Sequence, residues 1–302
     1  MSRAPTSGKP TGALTRGREP MSDWPSIGRT GAPFSVAGPA TDETPVIVEI
    51  PHAGLQVDHT SLGTLAAPAR SLAADADLYV DELYANATEV GASVLVAHLN
   101  RYVCDLNRAE SDVDPRAAEG GAAQNSPHGL IWWATTTGVP ALTRVLARSE
   151  LQRRIESYYR PYHVALRQLI AEKRARFGHA IVLCAHSMPS QGRVPGSRET
   201  VARADIVPGS RGRSSAAAAC IDLPDLLARE RGWQVSHDDP YRGGFTTAQY
   251  GQPSRGVHVI QVEIARRLYM DELSFGKNPR DFNKLQEYCR TLVARLGALQ
   301  LR

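Results

Sequence analysis

The sequence predicts an α/β protein built on a mostly parallel or mixed central sheet with helices on both faces. Three observations carry this expectation. Short apolar, β-branched runs alternate with stretches of helical period along most of the chain, the pattern of strands joined by crossover helices. Two of those runs, Val46 to Ile50 and Ile181 to Ala185, end abruptly in a short polar segment that carries a histidine, as buried strands do at the rim of a sheet. No self-similarity at a period of ~20–50 residues is visible, which argues against a solenoid or propeller.

With 302 residues and 42% hydrophobic content, the chain is long enough for one α/β domain, expected over residues 41–302. Residues 1–40 are rich in Gly, Pro, Ser, Thr and Arg without apolar period and are expected to be a disordered extension, with no apolar core of a secretory signal. The net charge is +4 and the arginines form no basic tract, so nucleic acid is not an expected partner. No apolar run approaches the ~18 residues of a membrane-spanning helix. Cys104, Cys184, Cys220 and Cys289 are far apart and form no CxxC pair, which fits buried free thiols in a reducing cytoplasm.

In chain order, residues 45–50 form the first expected strand, and the turn behind it carries His52 and Gly54. Residues 62–74 are a loop and short helix. Residues 75–87 are expected as one helix opened by acidic groups, with Asp77 and Asp81 sharing a face; on spacing alone, N-terminal capping and solvation is the favoured reading of both. Strands follow at 92–99 and 102–106. Behind them Asp105, Asn107 and Arg108 make a polar cluster, either a plain turn or a fork that grips a carboxylate through two parallel hydrogen bonds. Residues 109–126 read as a long loop. The longest helix is expected over 149–176, interrupted or kinked by Pro161, with His163 as a packing or hydrogen-bonding residue beside Tyr159 and a substrate contact as its alternative.

The strand at 180–185 delivers His186. Residues 191–215 read as an extended loop whose arginines, Arg193, Arg203, Arg211 and Arg213 among them, include one or two candidates for binding an anion. A helix over 221–231, a strand over 233–235 and a turn-rich loop over 238–244 precede the last strand, 257–264. There Glu263 interrupts an apolar run. A buried glutamate must be paired, protonated or linked to a metal, and Arg266 or Arg267 is the structural alternative. The final helical stretch, residues 280–301, is expected to pack peripherally.

Two imidazoles and a carboxylate around a divalent ion with one open position make a common hydrolytic zinc arrangement, and a nearby glutamate can then move the proton of the attacking water. His52, His186, the acidic segment and Glu263 are all expected at one rim. Spacing alone does not single them out, since no HExxH motif is present. The ordered set Ile50-Pro51-His52-Ala53-Gly54, Asp75-Ala76-Asp77, Arg101-Tyr102-Val103-Cys104-Asp105-Leu106-Asn107-Arg108, Ala185-His186-Ser187, Arg242-Gly243-Gly244-Phe245-Thr246-Thr247 with Tyr250-Gly251, and Val257 to Glu263 with Tyr269-Met270 resembles the N-formylglutamate amidohydrolase family. The resemblance runs over residues 45–272.

That family is similar to the zinc-dependent exopeptidases and aspartoacylases, so the resemblance implies their hydrolase fold and hydrolysis of an N-acyl amino acid to a carboxylate and a free amino acid. It implies Zn2+ or another divalent metal, a small-molecule substrate, and a place in amino-acid metabolism such as histidine degradation. Carried over by motif, His52 and His186 are the metal-binding histidines. Asp77 is the third ligand, because Leu55 stands where the exopeptidases carry a glutamate, and Asp81 and Asp105 are in reserve as ligands or supporting groups. Glu263 is the general base; Asn107, Arg108, Arg242 and Thr247 are the substrate-binding candidates. Two stretches depart from the family: Thr247-Ala248-Gln249-Tyr250-Gly251, in place of a Thr-Arg-His-Tyr-Gly run, and residues 205–213. Both bear on the substrate side chain, so the reaction class is better specified than the substrate. A metallopeptidase or cell-wall amidase on the same scaffold and a non-catalytic binding relative are the alternatives.

Overall fold

The computed structural model describes Met1 and residues 31–122, 128–193 and 199–301. Most of the extension expected at the N-terminus, residues 2–30, lies outside the described residues. The described elements are β1 (Phe34–Ala37), β2 (Val46–Ile50), α1 (His59–Leu62), α2 (Ala69–Ala74), α3 (Val80–Leu83), β3 (Ser93–Ala97), α4 (Arg148–Arg154), α5 (Arg160–Phe177), β4 (Ala180–Met188), β5 (Gln191–Arg193), β6 (Thr200–Ala202), β7 (Ile206–Gly209), α6 (Ala218–Arg229), α7 (Phe245–Tyr250), β8 (Val257–Ala265) and α8 (Pro279–Gly297).

Six strands form one sheet in the order β1-β3-β2-β4-β8-β7. The four inner strands are parallel and both edges are antiparallel, so the sheet is mixed. Strands β2, β4 and β8 are buried along their whole length, which is why they read as near-continuous apolar runs: a parallel strand covered on both faces has no solvent side to mark with polar residues. Helices α3, α6 and α8 cover one face and α5 the other, each with its own apolar cluster. Strands β4 and β8 pair over nine positions, from Ala180 opposite Val257 to Met188 opposite Ala265. That register sets His186 directly beside Glu263.

Several expectations change. Phe34–Ala37, inside the stretch expected to be disordered, is an antiparallel edge strand on β3. Only Phe34 in it is buried, so four residues among glycines and prolines carry too little apolar pattern to be read. The acidic segment is not one helix. Asp75 and Asp77 precede α3, and Tyr79 at φ 66° turns the chain between them and Asp81.

Residues 102–106 are turns, not a strand. They are anchored by the buried Arg154, whose Nη1 donates to the Val103 carbonyl at 3.0 Å and whose Nη2 donates to Thr64 Oγ1 at 2.7 Å. Residues 233–235 contribute one isolated bridge, Val235 to Ile206. The helix expected over 149–176 is continuous through Pro161, with a π-helical turn, Ile155–Tyr159, between α4 and α5. A wider turn ahead of the proline relieves the clash its ring would make in a regular α-helix. The stretch 191–215 holds the β5–β6 ribbon and β7. Helix α8 is not peripheral either: Phe282, Leu285, Cys289, Leu292 and Leu296 are buried at helical spacing against the sheet.

Gly54 lies where the turn behind β2 crosses the chain that follows β3, and a Cβ there would sit 2.2 Å from the His98 carbonyl carbon. Because the obstruction is backbone, Gly54→Ala should cost roughly 1–3 kcal/mol. A thermal melt followed by circular dichroism should show a midpoint lower by roughly 2–4 °C per kcal/mol.

Candidate metal centre

Pro51 ends β2, and His52 follows it into the crevice at the carboxyl ends of the strands. Its Nε2 lies 2.7 Å from Asp105 Oδ1, which makes Nε2 the protonated nitrogen and leaves the Nδ1 lone pair facing inward. Nδ1 meets His186 Nδ1 at 3.2 Å and Asp77 Oδ2 at 3.6 Å. His186 Nδ1 lies 3.0 Å from the same Asp77 oxygen. All three side chains are buried.

Four ligands at ~2.0–2.1 Å around a tetrahedral ion stand about 3.3–3.4 Å from one another. The three edges found here, 3.0, 3.2 and 3.6 Å, bracket that spacing. Two ring nitrogens and a carboxylate oxygen aimed at one point are therefore a donor set that a divalent ion of this size fits. Among the described residues it is also the one group of three or more such ligands.

Asp77 is fixed from the backbone. Its N–H donates to the His52 carbonyl at 2.9 Å, and Arg266 clamps the loop by donating to the carbonyls of Ala74 at 2.6 Å and Ala76 at 2.7 Å. Burial works to raise the Asp77 pKa, but the adjoining imidazoles, His186 before His52, overcome it and hold the carboxyl well below its usual range. Asp105 follows the same rule: burial is outweighed by Arg101, then by His52 and Arg108, and its pKa is held far down. It accepts from Arg101 Nη2 at 2.7 Å, Trp132 Nε1 at 3.0 Å and the Asn107 N–H at 3.0 Å. Asp105 thus orients His52 and does not join the three converging donors. Asp81 is exposed and stands apart from the cluster, because the turn at Tyr79 separates it from Asp77.

Glu263 is buried beside His186, and its Oε1 accepts from Gln261 Nε2 at 2.8 Å. Neither expected arginine pairs with it: Arg266 is spent on the Asp77 loop, and Arg267 donates to Asp205 at 2.7 Å. Burial, reinforced by the Asp77 charge and opposed by His186, pushes the Glu263 carboxyl up to about 7. Two carboxylates at one centre are thereby driven in opposite directions, the pattern expected where one binds and the other exchanges a proton.

The substrate-binding candidates divide. Asn107 lies with Nδ2 3.2 Å from His186 Nε2, while its Oδ1 accepts from the Thr246 N–H at 2.9 Å, so it packs beside His186 and fixes the start of α7. Arg108 is half-buried; its Nη1 donates to the Asn107 carbonyl at 3.2 Å, and its buried Nε has no partner among the described residues. Arg242 is exposed. Thr247 is wholly buried against Cys184 and has no surface to offer a substrate. His163 is a packing residue, held between Tyr250 Oη and the Leu106 carbonyl, both at 3.0 Å.

Glu49 adds a carboxylate that is not among the expected site residues. It is fully buried on β2, accepts from Tyr162 Oη at 3.0 Å, and burial raises its pKa against the charges of His186 and His52. Its signal matched that of Glu263, a lone carboxylate in an apolar strand. Arg101, Trp132 and Gln261, which brace Asp105 and Glu263, carried no such signal.

A family model for N-formylglutamate amidohydrolase matches residues 44–270. The chain belongs to the N-formylglutamate amidohydrolase family. It is 32% identical over 237 residues to the N-formylglutamate deformylase of Pseudomonas putida, covering 76% of this chain and 82% of that enzyme. The N-formylglutamate deformylase of Pseudomonas aeruginosa is likewise 32% identical, with 76% and 83% covered. The crystal structure of N-formylglutamate amidohydrolase from Ralstonia eutropha JMP134 superposes with a TM-score of 0.80 at 31% identity, over 88% of this chain and 97% of that one. Membership in this family makes the chain an amide hydrolase.

The folded-state pKa of Asp105 lies below its unfolded value, so the stability it contributes is complete above about pH 4 and is lost as pH falls further. Asp105→Asn should cost roughly 3–5 kcal/mol at pH 7, because Arg101 is left buried without its anion. Urea unfolding should show the gap between variant and parent narrowing from pH 7 to pH 3.

Proposed function

We propose that this chain hydrolyses the amide bond of an N-formyl or related N-acyl amino acid, N-formylglutamate being the first substrate to try, with Zn2+ or another divalent ion held by His52, Asp77 and His186. One observation carries the reading: three ligand atoms converge in a buried crevice with a proton-accepting glutamate on the adjoining strand. A divalent ion bound there would acidify its water and polarise the scissile carbonyl.

The chain's own groups then divide the work. Glu263, with a pKa raised to about 7, accepts the proton of the attacking water and returns it to the leaving nitrogen, so a carboxylate and a free amine separate. Arg108, with a donor unspent on protein, holds the substrate α-carboxylate and orients the acyl group. Asp105 keeps His52 in the tautomer that can ligate. Among the described residues no arginine or lysine forms an ion pair with Glu263, which matters because a fixed pair would lower its basicity. The four cysteines are unpaired and buried, which supports a reducing compartment such as the cytoplasm.

Metal analysis of the purified protein, joined to a screen of N-formyl, N-acetyl and N-succinyl amino acids, tests the whole reading; a metal-free protein that turns over the substrate would overturn it. Chelation should abolish turnover and added Zn2+ should restore it. Glu263→Gln should retain metal while losing about 100- to 10,000-fold in kcat. Arg108→Lys should raise KM more than it lowers metal content, because an ammonium cannot reproduce the two parallel bonds of the fork. The Glu263 carboxyl must be ionised to accept a proton, so kcat/KM should fall with decreasing pH along an acid limb centred at or below about 7.

A further inference from the structure

Five residues other than glycine have a positive φ among the described residues: Tyr79, Arg211, Arg213, Asp238 and Phe275. Three of them belong to one turn, where the Asp238 carboxylate accepts from the N–H groups of Ser210, Arg211 and Gly212, so that backbone is matched locally. The other two, at φ 66° and 59°, stand 196 residues apart and are joined, because Tyr79 Oη donates to the Phe275 carbonyl at 2.8 Å. A residue with a Cβ is disfavoured in this region and persists there only where its surroundings over-determine it. Tyr79 lies two residues beyond Asp77, at the start of α3.

The loop after β8 supplies those surroundings. Lys277 Nζ stands 4.6 Å from the centre of the Tyr79 ring, and Phe282 meets the same ring edge-on at 6.4 Å. The loop is closed on itself by Asp271, whose N–H donates to the Gly276 carbonyl at 2.9 Å and whose Oδ1 accepts from the Ser274 N–H at 2.6 Å. Arg70 lies over the Phe275 ring, its guanidinium carbon 4.6 Å from the centre, and donates to the Leu273 carbonyl. Ahead of Tyr79, Tyr269 Oη donates to the Leu78 carbonyl at 3.0 Å, next to the Arg266 bonds to Ala74 and Ala76. Behind it, Val80 and Leu83 are buried in the core, so α3 is fixed. A change of φ at residue 79 therefore falls on the peptides of Leu78 and Asp77, and the Asp77 carboxylate moves with them.

We propose that Tyr79 is a positioning residue for Asp77: the loop at 271–278 holds its backbone left-handed through the hydroxyl and the ring, and this keeps the carboxylate oxygen at ligand distance from the two imidazoles. The inference rests on the metal-centre reading above and extends it to a residue that touches no ion. Without the anchor, a residue with a Cβ relaxes toward negative φ and draws Asp77 away from His52 and His186. Glycine needs no anchor, because it takes the left-handed region without steric cost. Metal affinity is then set in part by a loop outside the crevice.

The test is the Zn2+ dissociation constant of the metal-free protein, read by competition with a chelating dye in the parent, Tyr79→Phe, Tyr79→Ala and Tyr79→Gly, at a temperature where circular dichroism shows each to be folded. Tyr79→Ala, which keeps the Cβ and loses the anchor, should bind about 10-fold more weakly. Tyr79→Gly, which loses both, should stay within about threefold of the parent. Tyr79→Phe, which loses the hydroxyl alone, should fall between the parent and Tyr79→Ala. A role confined to packing would weaken Tyr79→Gly at least as much as Tyr79→Ala, since glycine removes more contact. Parent-like affinity in Tyr79→Ala, or equal weakening in Tyr79→Ala and Tyr79→Gly, would overturn the assignment. If Tyr79→Ala does not fold, Tyr79→Gln against Tyr79→Asn repeats the contrast, because Asn tolerates the left-handed region. A parent that binds no Zn2+ overturns the metal-centre reading and this assignment together, whereas a Zn2+-binding parent with the variants in the wrong order overturns this assignment alone. The expected order in a protein that leaves N-formylglutamate intact keeps the assignment and rejects the substrate.

Discussion

Asp105 is the group on which the site depends. A fully buried carboxylate is costly unless its charge is matched, and here Arg101, Trp132, the Asn107 amide and His52 all point at it. The same hydrogen bonds that compensate the charge fix which nitrogen of His52 is protonated and how the irregular chain at 101–108 is folded. That loop has no ladder of its own to hold it. Its stability is borrowed from one anion beneath and from Arg154 behind.

A second constraint is the pairing of β4 with β8. Nine residues in register make the position of His186 relative to Glu263 a property of the sheet, with no loop free to vary it. Strand ends are stiffer platforms than loops, and the three-donor cluster uses both: two groups come from the ends of β2 and β4, and Asp77 from a loop clamped by Arg266. The electrostatic outcome follows from who neighbours whom. Asp77 touches two imidazoles and stays ionised, while Glu263 has an amide partner and is driven toward neutrality.

Much of this was legible beforehand, for identifiable reasons. Buried parallel strands announce themselves as unbroken apolar runs, so β2, β4 and β8 could be found, and with them the histidines that close the first two and the glutamate inside the third. Short motifs in a fixed order carried the family. Features made by distant partners were not legible. The edge strand at Phe34–Ala37 exists because β3 pairs with it, and Thr247 looks like a substrate contact until Cys184 and β8 are folded over it. Asp77 and Asp81 looked equivalent at helical spacing, but the left-handed turn at Tyr79 sends one into the crevice and leaves the other in solvent.

By itself, then, the sequence determined which strands are central, which side chains end them, and which family the chain resembles, because apolar period and motif order are local properties of a polymer. Tertiary structure alone decided that two histidine nitrogens and one carboxylate oxygen meet within 3.0–3.6 Å, and that Arg266 and Arg267 turn away from Glu263. Charges acquire their roles from neighbours brought together across 50 to 190 residues of chain, and no window along the sequence contains that information.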